Sequence, residues 1–77
     1  KLVRYTKYTL EIILENKVAL EKILNLFNQK KITIIKQKWV ENNSKFILEL
    51  TYIYKKKSHQ NLIQELNSFE NVKQIKI

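Results

Sequence analysis

The chain has 77 residues, 44% hydrophobic and 29% charged, a composition typical of one small globular domain and not of a disordered segment. It contains no Cys, which excludes disulfides and thiolate metal sites, and no apolar run approaches the ~20 residues of a membrane span. The net charge of +8 would attract nucleic acid, an anionic membrane or an acidic partner. An AT-rich genome explains the abundance of Lys, Ile and Asn equally well.

The first element is a strand that leads directly into a helix. Residues 1–7, KLVRYTK, predict a basic lead-in or linker end, followed by one domain over residues 8–77. From Tyr8 to Leu14 apolar and polar side chains alternate, which predicts a half-buried strand. Asn16 is the predicted N-cap of the helix. The buried face of that helix is predicted to contain Ala19, Ile23, Leu26 and Phe27.

A second strand is predicted over residues 32–40, ITIIKQKWV, although its alternation is imperfect. Ile32 and Ile34 would share one face, and Ile35 and Trp39 the other. The cluster that follows, ENNS at 41–44, predicts a turn in which Asn supplies the positive φ that Gly usually provides.

The third strand, over residues 45–54, has the clearest alternation. Ser58 is the predicted cap of a second helix. Its buried face is predicted to contain Leu62, Ile63, Leu66 and Phe69. Residues 72–77, VKQIKI, predict a short last strand.

The predicted order is strand-helix-strand-strand-helix-strand. Two strand-helix-strand crossovers would place both helices on one face of a four-stranded antiparallel sheet in the order 4-1-3-2. The sequence therefore predicts an α+β, ferredoxin-like βαββαβ sandwich.

No set of residues predicts catalysis, a metal site or a cofactor. His59 is the only histidine and has no Cys or Asp near it, so we expect a surface residue in the first turn of the second helix. Glu11 and Glu49 are expected on neighbouring central strands, where Lys36 and Lys38 would neutralise them. Without Gly there is no phosphate-binding loop. We therefore expect a protein that is not an enzyme.

Nucleic-acid binding through the sheet is also not expected. Domains of this fold that bind RNA stack bases on aromatic residues of the two central strands. The corresponding positions here include Glu11, Glu49 and Thr51 and contain no aromatic residue.

The sheet face away from the helices is instead predicted to be an interface. Large apolar residues recur there, more than a solvated face needs. We expect a homodimer, or another domain or protein, to cover it. The predicted interface residues are Ile13, Ile35, Trp39, Ile47 and Ile53.

Nearly the whole chain resembles an ACT-type domain. The resemblance rests on the strand-helix entry at Leu14 to Leu20, on LNLFNQKKITI and on the closing LIQELNSFENVKQIKI. In ACT domains that bind amino acids, the first turn has an acidic residue followed by Pro-Gly. Here Glu15 keeps the acid, but Val18 occupies the Gly position and Pro is absent, so amino-acid sensing is not expected.

Among such domains, the chain is most similar to the C-terminal domain of MgtC/SapB family membrane proteins. The resemblance implies a regulatory or dimerisation domain on the cytoplasmic side of the bacterial inner membrane, with a role in magnesium homeostasis or virulence. The basic residues Lys1, Arg4 and Lys7 agree with such a position. Because the sequence opens without Met, we expect a segment of a longer protein. The alternative is an ACT-type regulatory domain of a soluble enzyme or a transcription regulator.

Overall fold

The computed structural model describes residues 2–77, so Lys1 of the predicted lead-in lies outside the described residues. The four strands form one antiparallel sheet in the order β2-β3-β1-β4, as predicted. Six elements follow one another along the chain: β1 (Tyr5–Leu14), α1 (Val18–Gln29), β2 (Ile34–Asn42), β3 (Lys45–Lys55), α2 (Lys56–Asn67) and β4 (Val72–Lys76).

One core lies between the sheet and the two helices. Strands β1 and β3 contribute alternate residues that are almost fully buried, and both helices pack on this same face. The predicted buried face of α1 is confirmed, and in α2 Leu62 and Leu66 are fully buried while Ile63 is partly buried. Phe69 is also partly buried against the core, but it lies beyond the end of α2 and not on that helix as predicted. The sheet residues of the core are Leu10, Ile12, Leu14, Leu48, Leu50 and Tyr52.

Strand β1 begins at Tyr5, three residues earlier than predicted. Tyr5 and Lys7 pair with Lys55 and Ile53 of β3. These positions are exposed, so hydrophobic alternation does not reveal them. Backbone pairing with a long neighbouring strand extends β1 instead.

Neither helix begins as predicted. Lys17 is the N-cap of α1. Asn16 still provides a hydrogen-bond acceptor at the start of the helix, because its Oδ1 accepts the backbone N–H of Val18 at 3.1 Å. Ser58 lies inside the first turn of α2, whose N-cap Lys55 makes no side-chain bond. That helix starts earlier, at Lys56, whose N–H donates to the carbonyl of Arg4 at 2.9 Å.

The β2–β3 hairpin turns through two non-glycine residues in the left-handed region, Asn43 at φ 47° and Ser44 at φ 69°. The last pair of the ladder is Asn42 with Lys45, so the loop has two residues and both have positive φ, the type I′ pattern. The predicted positive-φ Asn is thus confirmed.

Helix α1 ends in a Schellman motif built without glycine. Lys31 has φ 58°, and its N–H donates to the carbonyl of Asn28 at 3.0 Å. The N–H of Ile32 donates to the carbonyl of Phe27 at 2.9 Å. This motif occupies the beginning of the predicted second strand and delays the start of β2 to Ile34.

A β-bulge at Ile35 changes the faces of β2. Ile34 pairs with Tyr52 and Lys36 with Thr51, which leaves Ile35 as the extra residue. Beyond the bulge every side chain of β2 lies on the opposite face from the one that uninterrupted alternation predicts.

The prediction that Trp39 lies on the open face is therefore wrong. Trp39 pairs with Leu48, a core residue, and is partly buried against the core. Its ring stacks on that of Phe46 with 5.6 Å between centroids, and its Nε1–H donates to Glu41 at 3.3 Å.

Candidate functional site

The open face of the sheet, opposite the helices, carries side chains in rows that run across the strands. The first row is apolar: Val40 pairs with Ile47, and Ile47 pairs with Ile13. All three residues are half-buried although no helix covers them. We call Val40, Ile47 and Ile13 the apolar row.

The next row consists of charged residues. It runs in the order Lys38, Glu49, Glu11 and Lys76 from β2 to β4. The two carboxylates lie directly opposite each other, as predicted, an arrangement that is unfavourable by itself. Lys76 Nζ is 3.6 Å from Glu11 Oε2, and Lys38 flanks Glu49 on the other side. The row is thus balanced in charge by Lys38, as predicted, and by Lys76, whereas Lys36 lies opposite Thr51.

The third row is polar. Thr51 lies between Lys36 and Thr9, and the two threonine hydroxyls are hydrogen-bonded at 3.1 Å. Beyond it the face continues into Ile53, which is 45% exposed and pairs with Lys7.

The five predicted interface residues therefore do not form one patch. Ile13 and Ile47 are neighbours, but Ile53 is six residues along β3 from Ile47, roughly 20 Å away, with the charged and polar rows between them. Ile35 is the bulge residue and is 53% exposed. Trp39 lies on the covered face.

Sequence reasoning missed Val40, which the bulge brings into the apolar row. The imperfect alternation at Ile34-Ile35 is the signal in the sequence, but it does not identify a bulge by itself, since Phe46, Ile47 and Leu48 are also adjacent apolar residues and pair in regular register.

On the covered face, a buried polar cluster corrects the prediction that His59 is a surface residue. His59 is only 8% exposed. Its Nε2 lies 2.6 Å from the hydroxyl of Tyr52, and its ring stacks on that of Tyr8 with 3.4 Å between centroids. His59, Leu62 and Leu66 lie at i, i+3 and i+7, so the helical stripe already indicated this position.

The cluster is built for a neutral imidazole. Burial lowers the pKa of His59, and burial together with the nearby Tyr8 raises the pKa of Tyr52. The Tyr52 hydroxyl and His59 Nε2 therefore share a hydrogen bond between two neutral groups, and the imidazole tautomer sets which of them donates. The arrangement satisfies two buried polar groups and fixes the start of α2 on the sheet.

Metal chemistry has no support within residues 2–77, where no group of three or more His, Cys, Asp or Glu side chains is placed to hold a metal ion.

The turn between β1 and α1, where the ACT resemblance would place an amino acid, uses three of its backbone N–H donors internally. The N–H of Glu15 donates to the carbonyl of Asn71 at 2.9 Å. The N–H of Val18 donates to Asn16 and that of Leu20 to the carbonyl of Lys17 at 3.1 Å. A ligand that needs these donors would have to break existing bonds.

A cleft of about 530 Å³ opens between α1 and the end of α2. Its walls include Lys22, Asn25 and Gln29 on one side and Glu65 on the other. Glu65 also binds Lys30 at 2.6 Å, and this hydrogen bond raises the pKa of Lys30. The walls offer amide and charged groups but no arrangement that selects a particular ligand.

Solved structures share this fold at low sequence identity. A homoserine dehydrogenase from Thiobacillus denitrificans matches with a TM-score of 0.79 over 96% of this chain at 14% identity, and the chain spans 17% of that enzyme. The ACT domain of the GTP pyrophosphokinase from Chlorobium tepidum matches with a TM-score of 0.77, 14% identity and coverage of 94% and 84% of the two chains.

The C-terminal domain of the MgtC protein from Mycobacterium tuberculosis also matches, with a TM-score of 0.70, 14% identity and coverage of 91% and 82%. These likenesses establish an ACT-like ferredoxin fold, as predicted. No protein-family model matches the chain, and no curated protein is similar to it in sequence. Neither helix within residues 2–77 has the length and apolar character needed to cross a bilayer.

Proposed function

We propose that this chain is a non-catalytic regulatory or oligomerisation domain with an ACT-like fold. The observation that carries the proposal is the combination of that fold with a β1–α1 turn in which the N–H groups of Glu15, Val18 and Leu20 are already bonded. A domain of this kind transmits a signal through its surface and does not hold an amino acid in that turn.

The parent that we propose is an MgtC-type protein of the bacterial inner membrane, with this domain on the cytoplasmic side and a role in magnesium homeostasis or virulence. Two features support it. The likeness to the MgtC C-terminal domain covers 82% of that domain, and the β1–α1 turn lacks Gly and Pro.

A second candidate is a regulatory domain of a soluble enzyme or a transcription regulator. The homoserine dehydrogenase and the GTP pyrophosphokinase favour it, since each of those proteins contains this fold. Calorimetry separates the amino-acid-binding form of this candidate from our proposal: we expect no heat of binding with any amino acid.

The parent is tested by fractionating cells that express the full-length gene product. After an alkaline wash, we expect the protein in the membrane pellet. Recovery in the supernatant would exclude the MgtC-type parent and favour the soluble alternative.

We further propose that the apolar row meets a partner, either a second copy or another domain. Sedimentation of the chain at high concentration tests the homodimer, with Ile47→Glu as the disrupting variant. Thr51→Glu, also on β3 and on the open face, is the matched control. A dimer that survives Ile47→Glu but not Thr51→Glu would place the interface elsewhere, and a monomer throughout would exclude the homodimer.

A further inference from the structure

One end of the molecule concentrates positive charge. The N–H of Lys56 donates to the carbonyl of Arg4, so the segment before β1 is held against the start of α2. Tyr5 pairs with Lys55 and Lys7 with Ile53, which places the beginning of β1 beside the end of β3. We call the cations gathered here the basic end: Arg4, Lys7, Lys55, Lys56 and Lys57.

These cations have no carboxylate among them. The chain has seven acidic residues, and the one nearest along β1 is Glu11, four residues beyond Lys7. Within residues 2–77 the ion pairs closer than 4 Å involve Lys17, Lys30 and Lys76, and none involves the basic end.

The start of α2 makes this concentration of charge more unusual. Lys55, Lys56 and Lys57 surround the helix N-terminus, where the helix dipole is positive and cations are unfavourable. The first turn has no acidic residue and no side-chain cap. Local stability does not explain these lysines, and such departures from local preference are expected at functional surfaces.

Exposed apolar side chains lie among the cations. Leu2 is 98% exposed, Val3 58% and Tyr5 59%. Leu2 and Val3 line a cleft of about 450 Å³ together with Arg4, Lys56 and Lys57. Apolar groups beside lysines match the boundary between lipid headgroups and acyl chains, where the apolar groups enter and the ammonium groups stay at the phosphates.

We propose that the basic end docks on the surface of a bilayer that contains anionic lipids. Clusters of four to eight basic residues bind such surfaces. Nucleic acid fits less well, because the end has one Arg and Tyr5 is the single aromatic residue among its exposed apolar side chains, whereas stacking of successive bases needs several. The inference does not depend on the MgtC-type parent, because it concerns the surface of this chain alone.

The test is co-sedimentation of the 77-residue chain with vesicles of phosphatidylcholine, with or without phosphatidylglycerol. We expect binding only when phosphatidylglycerol is present, weakening as salt is added. Replacing Lys55, Lys56 and Lys57 by Gln should lower the partition coefficient about 100-fold, since each basic residue near the surface contributes about fivefold.

The matched control replaces three exposed lysines outside the basic end, Lys22, Lys45 and Lys73, by Gln. It removes the same charge, so an equal loss in both triple variants would show general attraction to net charge and would overturn the proposal. Thermal unfolding checks that both variants fold.

Apolar contact is tested by the double variant Leu2→Ser and Val3→Ser, for which we expect about tenfold weaker vesicle binding at unchanged charge. The lipid proposal fails if this variant binds vesicles as tightly as the unsubstituted chain does and single-stranded RNA binds more tightly than vesicles. The basic end would then be a nucleic-acid surface.

Orientation gives an independent readout. Trp39 is the only tryptophan and lies beyond the bulge on the covered face, so brominated lipids should not quench it. In the variant Trp39→Phe with Val3→Trp, brominated lipids should quench the new indole. Docking through this end would be contradicted if Trp39 of the unsubstituted chain were quenched and the Trp introduced by Val3→Trp were not.

Discussion

The two faces of the sheet come from the same strands but obey different rules. On the covered face, β1 and β3 contribute apolar residues with almost no exposure, and the polar exceptions, Tyr52 and His59, satisfy each other. On the open face, apolar, charged and polar rows follow one another, and Glu11 and Glu49 lie directly opposite each other. Packing therefore accounts for the residues of the covered face. It does not account for the open face, which keeps two like charges opposite each other.

A matched pair of truncations on β3 tests this comparison most strongly. Leu48→Ala empties a fully buried site and should lower the free energy of unfolding by about 3 kcal/mol. Ile47→Ala, one residue away on the open face, should cost less than about 1.5 kcal/mol because the site is only half-buried. Urea unfolding of both variants measures the difference. Equal losses would mean that the open face is part of the core.

The Tyr52–His59 pair tests the polar exception on the covered face. Tyr52→Phe removes the hydroxyl and leaves the buried His59 Nε2 without its hydrogen-bond partner, which should cost about 1–3 kcal/mol. Chemical denaturation at pH 8, where the imidazole is neutral, measures the loss. Thr51→Val, the neighbouring residue on the open face, serves as the control and should change stability by less than about 1 kcal/mol. If Tyr52→Phe leaves the free energy of unfolding unchanged, the hydrogen bond contributes nothing to stability.

The same pair predicts a dependence of stability on pH. Burial holds the pKa of His59 below its ordinary value of 6.5, so the unfolded chain binds a proton more readily than the folded one. The contribution of His59 is fully present above pH 6.5 and is lost as the pH falls through the folded-state pKa. His59→Gln should flatten this part of the stability profile. A profile that keeps the same slope in His59→Gln would assign the effect to other groups.

A glycine at the end of α1 should stabilise the helix layer without changing a residue on either face of the sheet. Lys31→Gly relieves a left-handed backbone, φ 58°, at the closing position of the Schellman motif. We expect a gain of about 0.5–1 kcal/mol, measured as a higher melting temperature. Gln29→Gly, at an exposed residue in the last turn of α1, is the control and should destabilise.

The smallest expected effect concerns the facing carboxylates of the open face. Glu49→Gln removes the like-charge contact with Glu11 and should raise stability by about 0.2–1 kcal/mol at low salt, with a smaller gain at high salt. Lys38→Gln, on the other side of Glu49, should lower stability by a similar amount. A loss of stability in Glu49→Gln would show that the charged row stabilises the fold as it stands.

Sequence by itself determined the element order, the core and the sheet order. Leu48, Leu50 and Tyr52 alternate without interruption, and Ala19, Ile23, Leu26 and Phe27 keep the helical period, so periodicity was sufficient. The sequence also predicts the positive φ of Asn43, since Asn tolerates that conformation better than most residues.

Only the tertiary structure decided which residues share a surface. A one-residue bulge at Ile35 reverses every later position of β2, which moved Trp39 to the core side and Val40 to the apolar row. His59 is buried because Tyr8, about fifty residues away in the chain, and Tyr52, seven residues away, both pack against it. The basic end exists because β1 extends alongside β3 and brings Arg4 to Lys56. Periodicity records local burial, whereas register and pairing between distant segments set the faces on which function depends.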